Sequence, residues 1–325
     1  MNNDGFLTRP RIEIISGLLA GSCSTLVAHP LDVIKIRLQL SENKNATPFE
    51  NLKLITQKIS QDAESERVEY LKKNASRNLI RLILSSSKSP HLLQQYYRGL
   101  TPNLVGNMSG WSIYFALYGE FKQIFGDKKT TANYFSSSAL AGMLTTVLTN
   151  PIWVLKTRIL STRKTEKHAY SSLYDGIRKI IKQEGIRSFW SGMIPSLFLV
   201  SQSSLQFTFY DHLKHFQLST PIIPGETRQR LSTTEYICTS ATSKIMSMAI
   251  TYPFQVIRSN LQNYKAWEKR TLLGIASAIW HREGVTGFYK GISANMIRVV
   301  PSTCVTFVVY ESIKHFLNRG PVVLI

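Results

Sequence analysis

Three phrases in this chain bring a proline, a variable residue and a cation together at one spacing. They are Pro30, Asp32 and Lys35 in HPLDVIKIRLQL, Pro151, Trp153 and Lys156 in NPIWVLKTRIL, and Pro253, Gln255 and Arg258 in YPFQVIRSNLQ. All three read as helix, and a proline within a helix removes a hydrogen bond, so a kink or break is expected near Pro151. The variable residue decides what each phrase can offer. A carboxylate such as Asp32 pairs with a cation, an indole such as Trp153 offers its face to one, and an amide such as Gln255 accepts a hydrogen bond from one. Lys156, three residues beyond Trp153, shares its helix face. A further cation, Lys244, stands nine residues before Pro253. In mid-helix within a bilayer a lysine costs at least about 2.5–3.5 kcal/mol unless it meets polar surroundings. It reads as a cation facing a polar cavity rather than one snorkelling from a helix end. This is the chemistry of holding anions and of making and breaking pairs. Catalysis is not spelled out: seven histidines are scattered through the chain, with no Ser-His-Asp arrangement, metal-ligand spacing or phosphate loop.

The elements that carry these residues recur. A second phrase appears as YYRGLTPNL from Tyr96, FWSGMIPSL from Phe189 and FYKGISANM from Phe288, and a third as YFALYGEFK, FTFYDHLK and FVVYESIK. The order never changes, which marks three tandem repeats of about a hundred residues each. In every repeat a long apolar helix leads into the proline and another follows the aromatic-x-Gly phrase. The first of these spans about residues 11–40, with Gly17 and Gly21 four apart; Ser138 and Gly142 repeat that spacing. Small residues so placed let helices approach closely in lipid. The second helices fall at about 103–122, 196–216 and 294–315. All six segments are long enough to cross a bilayer, yet Ser, Thr, Asn and Gln punctuate each of them. A soluble helical bundle is the plainer reading; an all-α, multi-pass protein whose helices wet one face against a polar cavity fits the pattern better. Repeat one is longer, and QDAESERVEYLKKNASRNLIRLILSSSKSP reads as part of a polar loop insert over about 41–95, tolerant of change. Glu-Gly precedes the aromatic-x-Gly phrase in EGIRSFW and EGVTGFY, while repeat one has HLLQQYY instead.

An apolar fraction of 43% argues against a disordered chain, and a formal net charge of +19 points to an anionic partner. Nucleic acid, a lipid surface and an anionic small molecule all qualify. Zinc-finger spacing, RNA-recognition aromatics and a basic-zipper pattern are missing, which turns the reading away from nucleic acid. Cys23, Cys238 and Cys304 are far apart in apolar settings; they read as small buried thiols rather than a disulfide scaffold or a zinc site. The opening MNNDGFLTRPRIEIISG carries Asp4 and Glu13 and does not look like a signal or transit peptide.

By these motifs the whole chain resembles the mitochondrial carrier family, whose hallmark is Pro-x-acidic-x-x-basic ending each odd helix and aromatic-acidic-x-x-basic on each even helix. Within the family, GLTPNLVGNMSGWSIYFALYG, NPIWVLKTRI, SLQFTFYD, SKIMSMAITYPFQVIRSNLQ and NMIRVVPSTCVTFVVYE look like the FAD and folate carriers. Carriers of NAD and pyrimidine nucleotides share Pro-Ile-Trp, but more often keep an acid where this chain has Gln255. The resemblance implies a single domain, 1–325, with repeats at 11–126, 130–218 and 230–318. Six tilted transmembrane helices would surround a central cavity with pseudo-threefold symmetry and a gate on each side. It implies a multi-pass protein of the mitochondrial inner membrane that moves FAD by alternating access as a monomer, with FAD as cargo and no resident cofactor or metal. Folate, NAD or a pyrimidine nucleotide are alternative cargoes, and a non-transporting membrane adaptor is the alternative role.

The resemblance also implies residue roles. On the matrix side Asp32 would pair with Lys156, Trp153 with Arg258 through a cation–π contact of about 0.5–2 kcal/mol, and Gln255 with Lys35, braced by Gln39 and Gln262; Leu160 departs from the bracing pattern. On the cytosolic side Asp211 would pair with Lys314 and Glu311 with Lys122, while Gly119 replaces the acid that would face Lys214. Substrate contacts fall on Gly106, which leaves room for a large ligand, on Leu199 and Val200, and on Arg298, a clamp for pyrophosphate through bidentate charged hydrogen bonds. Lys244 supplies a second cation. Trp111 either stacks on a ring or simply packs, and Asn107, Gln202 and Gln206 are weaker polar candidates. Gly99, Gly192 and Gly291 mark helix starts whose N–H groups would hold the phosphates of cardiolipin.

Overall fold

The structure, a computed structural model, describes residues 9–41, 48–74, 88–125, 131–162, 170, 172–219, 232–263 and 271–318. Among them every regular element is helical. Six helices are long: α1 (Arg9–Gln39), α4 (Leu100–Ile124), α5 (Thr131–Ser161), α7 (Met193–Ser219), α8 (Thr233–Gln262) and α10 (Ile292–Asn318). Between them lie α2 (Pro48–Asn74), as long as some of the six but polar, and three shorter helices, α3 (Lys88–Tyr96), α6 (Leu173–Glu184) and α9 (Leu272–Glu283). The shortest of the six has 25 residues, about 37 Å at 1.5 Å per residue, against a hydrocarbon core of about 30 Å. Ser16–Gln39, Asn133–Ser161 and Leu272–Tyr310 also have the apolarity of a membrane crossing. Large apolar side chains point outward along these helices, among them Val27, Phe115, Phe207, Ile250 and Val308, each at least half exposed. Faces of that kind are stable against lipid and unfavourable against water. Cys238 and Cys304 lie on exposed positions as well. They are therefore not the buried thiols expected; a small apolar side chain suits a lipid-facing position as well as a core.

Of the kink or break expected at Pro151, the break does not occur. α5 runs unbroken through Pro151, as α1 does through Pro30 and α8 through Pro253. A proline at 151 leaves the carbonyl four residues earlier, that of Val147, without its helical donor. The indole Nε1 of Trp190 donates to that carbonyl at 3.2 Å, and re-satisfying the freed group from a neighbouring element is what lets a proline persist in such a helix. Trp190→Phe keeps the ring and removes the donor. It is expected to cost about 1–3 kcal/mol, read as a lowered thermal midpoint of the detergent-purified protein, whereas Pro151→Ala with Trp190→Phe should recover most of the loss.

Contacts divide the chain into two compact units: residues 1–113, 149–189 and 290–325 form one, residues 114–148 and 190–289 the other. In the first, α1 lies along α10, where Ser24 Oγ donates to the Ser302 carbonyl at 2.9 Å. Its core joins Val33, Ile34, Ile36 and Leu38 of α1 to Ile55 and Ile59 of α2, Leu160 of α5 and Ala294 of α10. A second core joins Val154, Leu155 and Ile159 of α5 to Tyr170, Ile180 of α6 and Phe189. In the second unit α7 packs along α8, with the Phe198 and Phe254 rings stacked at 5.1 Å, and Ile257 and Leu261 of α8 meet Ile275 of α9. Each repeat thus seats an intervening helix on the last turns of its first long helix. Ser172 and Thr271 cap the starts of α6 and α9 through their side-chain oxygens, as small hydroxyl residues do.

The same seat is tied by charge. Arg158 and Glu184 form a two-pronged pair, Nη1 to Oε1 and Nη2 to Oε2, the latter at 2.8 Å, with the arginine side chain 2% exposed. In repeat one Arg37 Nη1 meets Asp62 Oδ2 at 3.3 Å. Repeat three replaces the arginine by Asn260, whose amide donates to its own helix at the Val256 carbonyl. Repeat one therefore has its acid after all, twenty-five residues from Arg37; what it lacks is the glycine. Gly185 and Gly284 end α6 and α9 with φ of 80° and 65°, a conformation that glycine alone adopts readily. Asp62 is followed by Ala63, and α2 continues to Asn74. Much of the stretch expected to be loop is therefore helix, with Ala63 fully buried. Residues 42–47 and 75–87 of that stretch lie outside the described residues.

Candidate functional site

The first unit gathers residues from four helices around one carboxylate. Asp32, on α1 two residues after Pro30, is 10% exposed at its side chain. Lys156 Nζ, from α5, lies 3.3 Å from Oδ2, and Arg298 Nε, from α10, lies 3.3 Å from Oδ1. Asn103 Nδ2, from α4, donates to Oδ2 at 3.1 Å. Two cations and an amide offset the cost of burying this charge, which would be large for a carboxylate alone. Asn103 is itself held in place. Its other amide hydrogen goes to His29 Nδ1 at 3.0 Å, so His29 Nδ1 accepts and Nε2 carries the hydrogen donated to the Arg98 carbonyl at 2.9 Å. Asn295, one turn before Arg298, accepts from its guanidinium at 3.3 Å. Asn107 donates to Thr25 Oγ1 at 3.1 Å.

Trp153 takes an unexpected partner. Lys156 Nζ sits 5.1 Å from the centroid of the Trp153 ring, one helical turn along α5, so one lysine serves both the carboxylate and the indole. The indole Nε1 donates to Thr149 Oγ1 at 3.3 Å. Its far edge lies against Gly106: a Cβ added there would stand 3.5 Å from two ring carbons of Trp153 and 3.3 Å from Ile152 Cγ2. The space beside Gly106 is thus occupied by the chain's own indole. Arg258 belongs to the other unit.

In that second unit Gln255 Nε2 donates to Gln202 Oε1 on α7 at 3.4 Å, a contact between two residues the sequence singled out separately. Val200 fills a packing role: a Cβ on Gly142 would come within 2.9 Å of its Cγ1. Leu199 and Lys244 are partly buried. Lys122 Nζ lies over the Tyr134 ring at 5.5 Å, and Asp211 is exposed while Lys214 is partly buried. The side chains of Glu311 and Lys314 lie outside the described residues, and with them the two cytosolic pairs. Gln39 and Gln262 are buried, 3% and 2% exposed, and Lys35 is partly buried. Among the described residues no three metal-ligating side chains cluster.

Gly99, Gly192 and Gly291 all have positive φ. At Gly99 an added Cβ would collide with the Leu160 side chain of α5, so this glycine permits close approach of two elements, whatever lipid it also meets. The residue before it was missed by the sequence reading. Arg98 reaches Thr162 Oγ1 and the Tyr170 carbonyl, both at 3.3 Å, just past the end of α5. Lys290, before Gly291, reaches the Ser41 carbonyl at 2.7 Å, just past the end of α1. Cations at helix C-termini are stabilising, and the basic residue preceding glycine in two of the three phrases was the available signal. Trp111 takes no part in the Asp32 cluster and is 58% exposed. If it stacks on a ring of the cargo, Trp111→Phe should retain uptake and Trp111→Ala should lose about ten- to hundredfold in affinity, since stacking is worth about 1–3 kcal/mol; equal uptake by the two variants leaves it a packing residue.

Comparison with known proteins accounts for the threefold pattern. The family described as mitochondrial carrier protein matches residues 9–129, 127–220 and 229–321. The mitochondrial FAD carrier protein of Saccharomyces cerevisiae is 38% identical over 94% of this chain and 96% of its own length. Folate transporter 1, chloroplastic, of Arabidopsis thaliana is 31% identical over 94% and 95%. The mitochondrial nicotinamide adenine dinucleotide transporter 2 of the same plant is 28% identical over 94% and 79%. Three consecutive matches spanning nearly every residue, on a chain whose described elements are all helical, leave one conclusion: the chain belongs to the mitochondrial carrier family.

Proposed function

We propose that this chain carries FAD across the mitochondrial inner membrane by alternating access, as a monomer. As a member of its family it is a membrane transporter and not an enzyme; FAD is cargo, and no bound cofactor takes part. The observation that carries the reading is Arg298 beside Asp32, a guanidinium that can take a phosphate in two hydrogen bonds, placed against the acid of a proline motif. Likeness over nearly the full length to a FAD carrier supports the choice of cargo. In this reading Arg298 and Lys244 hold the pyrophosphate, with Gly106, Leu199, Val200 and Trp111 beside the rings. Asp32, Lys35, Trp153, Lys156, Gln255 and Arg258, with Gln39 and Gln262, close the matrix side. Lys122, Asp211, Lys214, Glu311 and Lys314 close the cytosolic side. Cardiolipin binds at the helix starts marked by Gly99, Gly192 and Gly291. The test is uptake by purified protein in liposomes with FAD, FMN, riboflavin, folate and NAD in competition. FAD should be taken up and should compete best; a flat response to all five overturns the transport reading, and preference for folate or NAD reassigns the cargo.

The matrix gate has a single acid, Asp32, where three ion pairs are possible, so its closed state is weaker than it needs to be. Restoring acids with Trp153→Asp and Gln255→Glu is expected to slow FAD uptake several-fold and to raise the thermal midpoint. A shift of about 1.4 kcal/mol changes the ratio of the two states tenfold. Thiol labelling of a cysteine placed in the cavity, read from each side of the membrane, should fall from the matrix side; unchanged labelling from both sides overturns this account of the gate.

A further inference from the structure

The two positions proposed to hold the cargo are already filled, and by groups that resemble it. Beside Gly106 lies an aromatic ring, the indole of Trp153, with two ring carbons 3.5 Å from where a Cβ would stand. On Arg298 lies an anion, the Asp32 carboxylate, with Oδ1 3.3 Å from Nε. Gly106 and Arg298 come from the even helices α4 and α10, whereas Trp153 and Asp32 come from the odd helices α5 and α1, two residues beyond their prolines. The two occupants are linked: Lys156 sits 3.3 Å from Asp32 Oδ2 and 5.1 Å from the Trp153 ring.

We propose that Trp153 and Asp32 are resident stand-ins for the ring and the phosphate of the cargo, and that they determine specificity because only a ligand carrying both groups displaces both. This rests on the reading of Gly106 and Arg298 as cargo contacts. A phosphate on Arg298 releases Asp32 from α10, but leaves the indole seated against α4. A ring at Gly106 releases Trp153, but leaves the carboxylate on the guanidinium. When both go, the contact of α1 with α10 through Arg298 and that of α5 with α4 through the indole at Gly106 are broken together. A ligand with one group alone displaces the stand-in at its own position and leaves the other seated. Each stand-in lowers the apparent affinity for the group it mimics by the fraction of protein in which that position is open.

The test is equilibrium binding by the intact detergent-purified carrier, with FAD followed by flavin fluorescence and inorganic pyrophosphate by calorimetry. Asp32→Asn keeps the shape and the acceptor oxygen but removes the charge from Arg298; it should tighten binding of both ligands about tenfold. Trp153→Ala should tighten FAD binding by about five- to tenfold and leave pyrophosphate binding within about twofold. Trp153→Phe, whose shorter ring lacks the far edge seated against Gly106, should tighten FAD binding by less than Trp153→Ala, and its thermal midpoint shows whether the fold survives changes at this position. Unchanged or weaker pyrophosphate binding by a folded Asp32→Asn overturns the anion half. Equal tightening of both ligands by Trp153→Ala overturns the ring half, since it shows a general loosening. Should the unaltered protein bind pyrophosphate but not FAD while Asp32→Asn still gains, the anion half stands and the FAD reading falls.

Discussion

Arg298→Ala is expected to abolish most FAD uptake by the reconstituted carrier, with a loss of about ten- to hundredfold in apparent affinity. The guanidinium is partly exposed at 31%, held by Asn295 on its own helix and poised against Asp32. Hydrogen bonds to a charged group are worth about 1.5–3 kcal/mol each, and a phosphate takes two from a guanidinium in a geometry that an ammonium cannot copy. Arg298→Lys should therefore recover part of the affinity and not all of it. Lys244→Ala should impair uptake as well, with a smaller loss, because an ammonium contributes a point charge without the fork. Removing Arg298 also takes one cation from Asp32, but Lys156 and Asn103 remain within 3.3 Å and 3.1 Å of Oδ2, so the protein should stay folded. The measurement is initial uptake rate against FAD concentration, with thermal unfolding of the same preparation. Uptake by Arg298→Ala at the unaltered rate removes Arg298 from the cargo site.

Glu184→Ala should be the most destabilising single substitution considered, by about 3–5 kcal/mol. It strips Arg158 of a two-pronged partner while leaving the guanidinium 2% exposed between α5 and α6, with the Tyr170 hydroxyl at 3.4 Å beside it. An uncompensated buried charge carries the full cost of its desolvation, which is why breaking such a pair costs more than replacing it whole. The double substitution Arg158→Met with Glu184→Met is accordingly expected to be milder than Glu184→Ala alone. Asp62→Ala in repeat one should cost less, because Arg37 makes one contact there at 3.3 Å and another, from Nε, to the Leu160 carbonyl at 3.4 Å. Thermal midpoints of the purified proteins rank the three. If Glu184→Ala and Asp62→Ala are equally mild, α2 and α6 are held by their apolar cores and the charge pairs are incidental.

Much was legible from residue order alone. The three proline phrases and three aromatic-x-Gly phrases set the number of repeats, and apolar segments long enough to cross a bilayer set the helical class, because both are local: a helix hydrogen-bonds within itself, and its composition decides its solvent. The identities of Asp32, Trp153 and Gln255 at one spacing showed that the proline motif was uneven. The fate of the prolines was less accessible. Whether Pro151 breaks its helix depends on whether the Val147 carbonyl finds another donor, and Trp190 lies forty-three residues away.

Partners were decided by the tertiary structure. Trp153 could be read as a surface for some cation, but its choice of Lys156, one turn along its own helix, depends on where Asp32 holds that lysine. Gly106 read as open space because a missing side chain looks like room; only packing shows that an indole from α5 fills it. The acid of repeat one looked absent because its usual mark is the glycine that follows, and Ala63 let the helix run on past Asp62. Composition and periodicity determine which elements form and which face of each is apolar, since those are properties of neighbours along the chain. Which carboxylate meets which cation is settled by distances of about 3 Å between residues tens or hundreds of positions apart, as with Asp32 and Arg298, and that spacing exists only once the helices have packed.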